Sequence, residues 1–270
     1  MKFNTSEGGL LRQAAAHQRA AHHGAAQHVF PKSMNRTAQI IEEVFNATGI
    51  RAAQGFLRLD VLLGTNGQYT FQINQANSTP GANVTETRVR QADSFIATSY
   101  GFFLKRIAAA TPSAPTQAED AVCQLYTFPD NVIFPGSEST NLEAIYNSTL
   151  QIIIGNQIVV QGYDLMQNRR VGMAQQGLQA SQQAAAVGTA GAYQRSQWDG
   201  SEYGFAPLHQ AFAFNGQNNQ NITLNLPTAI NCAAAGNFVN YATIILRGVL
   251  AINGSDKIKD KSFSSFISKA

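Results

Sequence analysis

The chain has 270 residues, of which only 13% are charged, and its formal net charge is +3. A length of this size buries a core either as one large all-β domain or as two small domains. Cys123 and Cys232 are far apart with no C-x-x-C partner, which excludes a disulfide framework or zinc site and leaves ordinary core thiols.

Charge lies well below the roughly 25% usual for soluble domains, and polarity is carried by neutral amides, with 46 Asn and Gln residues. An amide costs less to bury than a charge. Such a surface suits a protein covered largely by copies of itself; compositional bias of the source is the alternative reading. The positive excess sits at one end: residues 1–36 hold Lys2, Arg12, Arg19, Lys32 and Arg36 against Glu7 alone, and no carboxylate occurs between Glu7 and Glu42. The N-terminus lacks the apolar core of a signal peptide, and the apolar runs are too short to span a bilayer. Synthesis in a cytosol is expected.

In chain order, residues 8–30 are rich in Ala, Gln and His and carry at best a weak apolar stripe, so they form a helix only against a partner. The spacing of Ile40, Ile41, Val44 and Phe45 predicts a helix over 37–48, with Thr37 as N-cap and Gly49 as the stop. From Arg51 the period changes to two. In "GFLRLDVLLGTNGQYTFQIN", residues 55–74, Leu57, Leu59, Val61 and Leu63 form one row and Phe56, Arg58, Asp60 and Leu62 the other. Tyr69, Phe71 and Ile73 continue an apolar row beyond Gly64–Gly67, and the stretch reads as a hairpin with Arg58 and Asp60 on its outer face.

Further strands are expected at 84–90, 94–106, 121–128, 141–146, 149–154, 157–163, 208–214, 221–226 and 238–252. The last is apolar on both faces apart from Asn240, Thr243 and Arg247, which predicts a central strand covered on both sides. Residues 111–120 and 129–140 read as loops, and 165–206 as a long Gln/Ala/Gly loop of the kind that is functional or ordered by a partner. Strands at intervals of about 10 to 20 residues argue for a sandwich or barrel.

Reactive residue types are scarce. The β body holds one histidine, His209, read as a strand residue; the arm histidines pair as His17-x4-His22 and His23-x4-His28, which is not metal-ligand spacing. Glu42-Glu43 reads as a solvated helix face and Glu119-Asp120 as a loop pair, and neighbours in sequence diverge too much for joint acid/base work. No catalytic, cofactor-binding or metal residue is assigned, and an enzyme is not expected. Two candidate contact sets remain. Lys2, Arg12, Arg19, Lys32 and Arg36 could lie along phosphates or pack under a neighbouring subunit. Tyr193, Trp198 and Tyr203 could stack on sugars or anchor their loop.

The segments "GFLRLDVLL", "QYTFQIN", "DSFIATSYGFFL", "AIYNSTLQIII", "QIVVQGYDL", "LHQAFAF", "NITLNLP" and "VNYATIILRGVLA" follow a basic, partly helical arm. This layout resembles the jelly-roll capsid proteins of icosahedral bacteriophages, over roughly residues 50–253. The resemblance implies an all-β antiparallel sandwich of jelly-roll type, a single roll being the better fit and a compact double roll the alternative. It divides the chain into an arm (1–36), an amphipathic helix (37–50), a β domain (51–254) and a tail (255–270). It further implies a subunit, major or minor, of a virion shell made in the host cytoplasm. The partners implied are copies of itself, other capsid proteins, and genome or an internal membrane through an inward-facing arm. The main rival is a phage fibre or carbohydrate-binding module.

Overall fold

The computed structural model describes residues 32–74, 85–111, 115–131, 133–155, 157–170, 200 and 202–256. Lys2, Arg12, Arg19, Tyr193 and Trp198 lie outside the described residues, as does the tail from 257. A helix, α1 (Lys32–Thr48), leads into β1 (Ala52–Leu62), β2 (Thr65–Gln72) and β3 (Ser94–Ala108); a short helix α2 (Gln117–Ala121) and β4 (Leu125–Tyr126) follow. Then come α3 (Ser137–Glu143), a 3-10 turn (Ala144–Asn147), β5 (Thr149–Ile154), β6 (Gln157–Asp164) and a second 3-10 turn (Leu165–Asn168). The chain finishes with β7 (Phe205–Asn215), β8 (Gln220–Asn231) and β9 (Phe238–Ala251).

The strands form two sheets. Sheet A runs β1-β9-β3, with β4 and β7 both pairing along the far edge of β3; sheet B runs β2-β8-β5-β6. Every strand-to-strand pairing is antiparallel. Following the chain, β1 lies in sheet A, β2 in B, β3 in A, β5 and β6 in B, β7 in A, β8 in B and β9 in A. This is the strand order of a single jelly roll, an antiparallel β-sandwich.

That order corrects the expected hairpin at 55–74. β1 and β2 do not pair; β1 runs beside β9 and β2 beside β8. The Gly64–Gly67 segment carries the chain across the sandwich, held by Leu63 N donating to Asn240 O at 2.9 Å and Cys232 N donating to Gly64 O at 2.9 Å. The alternation is that of a half-buried strand in either arrangement, so periodicity could not separate a hairpin from a crossover.

The inner rows meet as the period of two predicts. Leu57 and Leu59 of β1, Phe95, Phe102 and Leu104 of β3, and Ala242, Ile244 and Leu246 of β9 face Tyr69 and Phe71 of β2, Leu150 of β5, and Ile222 and Leu224 of β8. Phe102 meets Tyr146 edge to face at 5.6 Å between ring centroids, and the Tyr146 hydroxyl donates to Thr127 O at 2.8 Å. Each such ring contributes about 1.5–3 kcal/mol by leaving water.

Sheet A is covered on its outer side too, the reason β9 is apolar on both faces. Ile40 and Val44 of α1 pack on Ile96, Ala211, Val249 and Ala251. The helix begins at Lys32 rather than Thr37, so Thr37 is no cap, and Lys32 and Arg36 belong to the helix. Its end is as expected: Gly49 takes φ +68°, and its N–H reaches Phe45 O at 2.8 Å, closing the last turn at a conformation other residues resist.

Of the expected strands one is helical instead and another is cut to two residues. Residues 141–146 lie in α3 and its 3-10 continuation, and of 121–128 only Leu125–Tyr126 pairs as a strand. Residues 84–90 contribute isolated bridges, Thr87 to Arg58 and Val89 to Asn74.

Candidate functional site

The densest chemistry among the described residues is a buried charge cluster on the outer face of sheet A. β1 contributes Asp60, β9 Thr243 directly across from it, and β3 Lys105, whose register partner is Tyr241. α2 supplies Asp120 from above. Its start is set by a capping box, with the Thr116 hydroxyl accepting from Glu119 N and Glu119 returning to the Thr116 N–H. The pair expected in a loop thus stands on a helix, and its members diverge: Glu119 caps while Asp120 points into the sheet.

The Lys105 side chain is 0% exposed, as are those of Asp60 and Asp120. Its Nζ donates to Asp60 Oδ2 at 2.7 Å and to Asp120 Oδ1, and sits 5.1 Å from the Tyr241 ring centre. The other oxygens are also used: Thr243 Oγ1 donates to Asp60 Oδ1 at 2.6 Å, and Thr85 N and Oγ1 donate to Asp120 Oδ2 at 3.1 and 3.0 Å. Arg58 approaches Asp60 at 3.7 Å. Asp60 thus lies on the outer face of its strand as expected, but that face is roofed by the chain's own helix and strap, so it is a buried anion and not a polar edge available to a neighbour.

Beside it the connector 85–90 straps the edge of β1. Arg58 and Thr87 exchange both backbone hydrogen bonds, at 3.1 and 2.8 Å, and Glu86 Oε1 accepts from Asp60 N at 3.2 Å. Arg88 pairs with Glu86 at 3.0 Å. Burial pushes the Asp120 carboxyl up, but the Lys105 ammonium and the Thr85 donors outweigh it and hold the group below the usual range. Glu86 lies above that range, because burial outweighs the Arg88 charge. Burial, with the two aspartates nearby, pushes Tyr241 up to about 12.

Lys105, Asp60 and Asp120 are matched to one another and to Thr243 and Thr85 with fully buried side chains, while Arg58 Nε and Nη2 are buried without an acceptor; the cluster ties three strands, a helix and the strap together, and its geometry is that of a lock. Among the described residues no group of three His, Cys, Asp or Glu side chains is placed to hold a metal, and no helix is long and apolar enough to cross a membrane. Cys232 is buried and Cys123 half-buried, both free, and burial raises both thiols to about 11.

The outer surfaces differ sharply between the sheets. The four strands of sheet B carry a single charged side chain, Asp164. Their outward rows are rich in amides and hydroxyls, some joined across strands, as in Gln68 Nε2 to Asn225 Oδ1 at 2.9 Å and Thr65 Oγ1 to Asn231 Oδ1 at 3.2 Å. At the open edge, Ile158 and Val159 of β6 are exposed. Val122, beyond α2, is 81% exposed.

Of the contact residues expected from sequence, Tyr203 lies exposed just before β7, near Glu202, which pairs with Arg247 at 2.7 Å. Lys32 and Arg36 lie on α1, and His209 lies on β7. The charge cluster had no place among those expectations. Its signal was Lys105 inside "DSFIATSYGFFLKRIA", an ammonium in a strand apolar on both faces, which demands buried anions.

No family model matches the sequence, and no curated protein matches it. Among solved structures, the chain is similar to one described as the crystal structure of PBCV-1 VP54 fitted into a cryo-EM reconstruction of the virophage Sputnik. The likeness covers 82% of this chain and 46% of that one, at 9% identity and a TM-score of 0.30. The chain thus spans less than half the length of that protein.

Proposed function

We propose that this protein is a structural subunit of an icosahedral viral shell of bacteriophage type, associating with copies of itself and with other shell proteins. The observation that carries the reading is the pairing of a single jelly roll with a sheet B whose outward face is almost free of charge and ends in exposed Ile158 and Val159. A neutral amide face loses little on burial against its own copy, because no like charges meet. Exposed apolar side chains at a strand edge favour pairing with another chain. In this reading the basic N-terminal segment, from Lys2 to Arg36, faces the shell interior, and the chain carries out no reaction of its own.

Size-exclusion chromatography with light scattering, followed by negative-stain imaging, tests it. The expected result is assembly into closed particles or their capsomers, lost in Val159→Lys while the monomer's circular dichroism is unchanged. A strictly monomeric chain under all assembly conditions, or assembly indifferent to charge on β6, would overturn it. Sugar-selective binding on a glycan array would favour a carbohydrate-binding module instead.

A further inference from the structure

A cleft of about 430 Å³ opens along β1 just before the strap takes hold, lined by Phe56, Leu57, Arg88, Arg90, Leu250 and Ile252 among others. Alternate residues of a strand direct their backbone N–H and C=O groups to the same side. Arg58 gives both of its groups to Thr87, and Asp60 N is taken by Glu86. The groups of Phe56 and Gln54 therefore point the same way, away from β9 and toward this side. The strap cannot meet them, because Val89 has turned off to donate to Ile73 O at 2.9 Å. Among the described residues this leaves a strand edge of about six residues, on the order of 20 Å long, beside a concave wall.

The wall has a definite chemistry. Phe56 and Ile252 are 58% and 56% exposed, a large apolar area for a finished surface. Arg90 is exposed with no ion-pair partner among the described residues. Arg88 holds Glu86 through Nη2 at 3.0 Å, and its Nε is buried without a hydrogen-bond acceptor. Oδ1 of the cleft's carboxylate, Asp93, accepts from the Asn253 backbone N–H at 2.9 Å.

We infer that this cleft is a strand-addition site: it takes an extended peptide segment of a partner protein that pairs with Gln54 and Phe56, seats an apolar side chain against Phe56 and Ile252, and presents a carboxylate to Arg88 and Arg90. Main-chain bonds supply affinity in such sites, and side-chain pockets supply the choice of partner. The inference does not depend on the shell reading, since it concerns the edge of sheet A and not the face of sheet B.

The test uses the full chain with two fluorescent, end-blocked octapeptides, alternating Val-Glu and alternating Val-Lys, read by anisotropy and by hydrogen exchange. The expected result is that the acidic peptide binds about tenfold or more tighter than the basic one and slows exchange at the Gln54 and Phe56 amides. Arg90→Glu reverses the preference, while Val122→Lys, at an exposed residue that does not line the cleft, changes nothing. Equal or absent binding of both peptides would overturn the inference. So would slow exchange at both amides before any peptide is added, since the edge would then already be covered by the chain itself or by a second copy.

Discussion

Lys105→Met removes the one ammonium between Asp60 and Asp120 while keeping an unbranched apolar side chain one atom shorter. Two carboxylates with fully buried side chains then face each other across the space it leaves, with Arg58 at 3.7 Å from Asp60 as the remaining cation. Breaking a buried pair in this way costs about 3–5 kcal/mol. For a domain of this size each kcal/mol lowers Tm by about 2–4 °C, so a fall of roughly 6–20 °C is expected. Urea unfolding followed by circular dichroism gives the free energy directly.

The pH dependence distinguishes charge from simple packing. In the native protein the Asp120 pKa is depressed, so its contribution is present above the unfolded value of about 3.9 and is lost as pH falls through the folded value. In the variant the Asp120 carboxyl, buried without its counter-charge, should be raised instead, so stability is present below the unfolded value and lost as pH rises through the folded one. The deficit against wild type should be largest near neutrality and shrink toward pH ~4. A triple change, Asp60→Leu with Lys105→Met and Asp120→Leu, should recover most of the loss, because an apolar cluster of similar volume needs no counter-charge. A deficit under about 1 kcal/mol, or one equal at both pH values, would refute the argument that Lys105 is held as a charge.

Three further outcomes follow from packing. Gly248→Ala should destabilise by about 1–3 kcal/mol or more, because a Cβ there would lie 1.9 Å from the Ile96 carbonyl where β3 bulges; an unchanged thermal midpoint would contradict it. Phe102→Ala empties a site at the centre of the main core and should cost about 3–5 kcal/mol in denaturant unfolding. Thr116→Ala removes the α2 cap and should cost about 0.5–2 kcal/mol, with faster hydrogen exchange confined to 116–123 if α2 opens alone.

The strands that the structure and the periodicity share are those with one clear inner row. Tyr69, Phe71 and Ile73 are buried as expected, and β9 is central because both of its faces are apolar and both are covered. The misread segments had apolar residues without a decisive period. Ile145 and Tyr146 are fully buried from a 3-10 turn, where a strand was expected, because a short apolar run fits either geometry. Asp60 looked solvent-facing for a similar reason: the alternation places it opposite Leu59 and Val61, but it cannot say whether that second face is later roofed by another part of the chain.

By itself the sequence determined the positions of the long strands, their inner apolar rows, the stop of α1 at Gly49, the low overall charge and the basic excess before residue 37. These are local properties, set by period, side-chain size and backbone freedom. Only the tertiary structure decided that β1 and β2 part into different sheets, that Asp60, Lys105 and Asp120 meet, and that among the described residues the strap pairs with only part of the β1 edge. Each of those joins groups far apart in the chain, and their pairing depends on which face is covered by what, a matter of three-dimensional closure that no local pattern encodes.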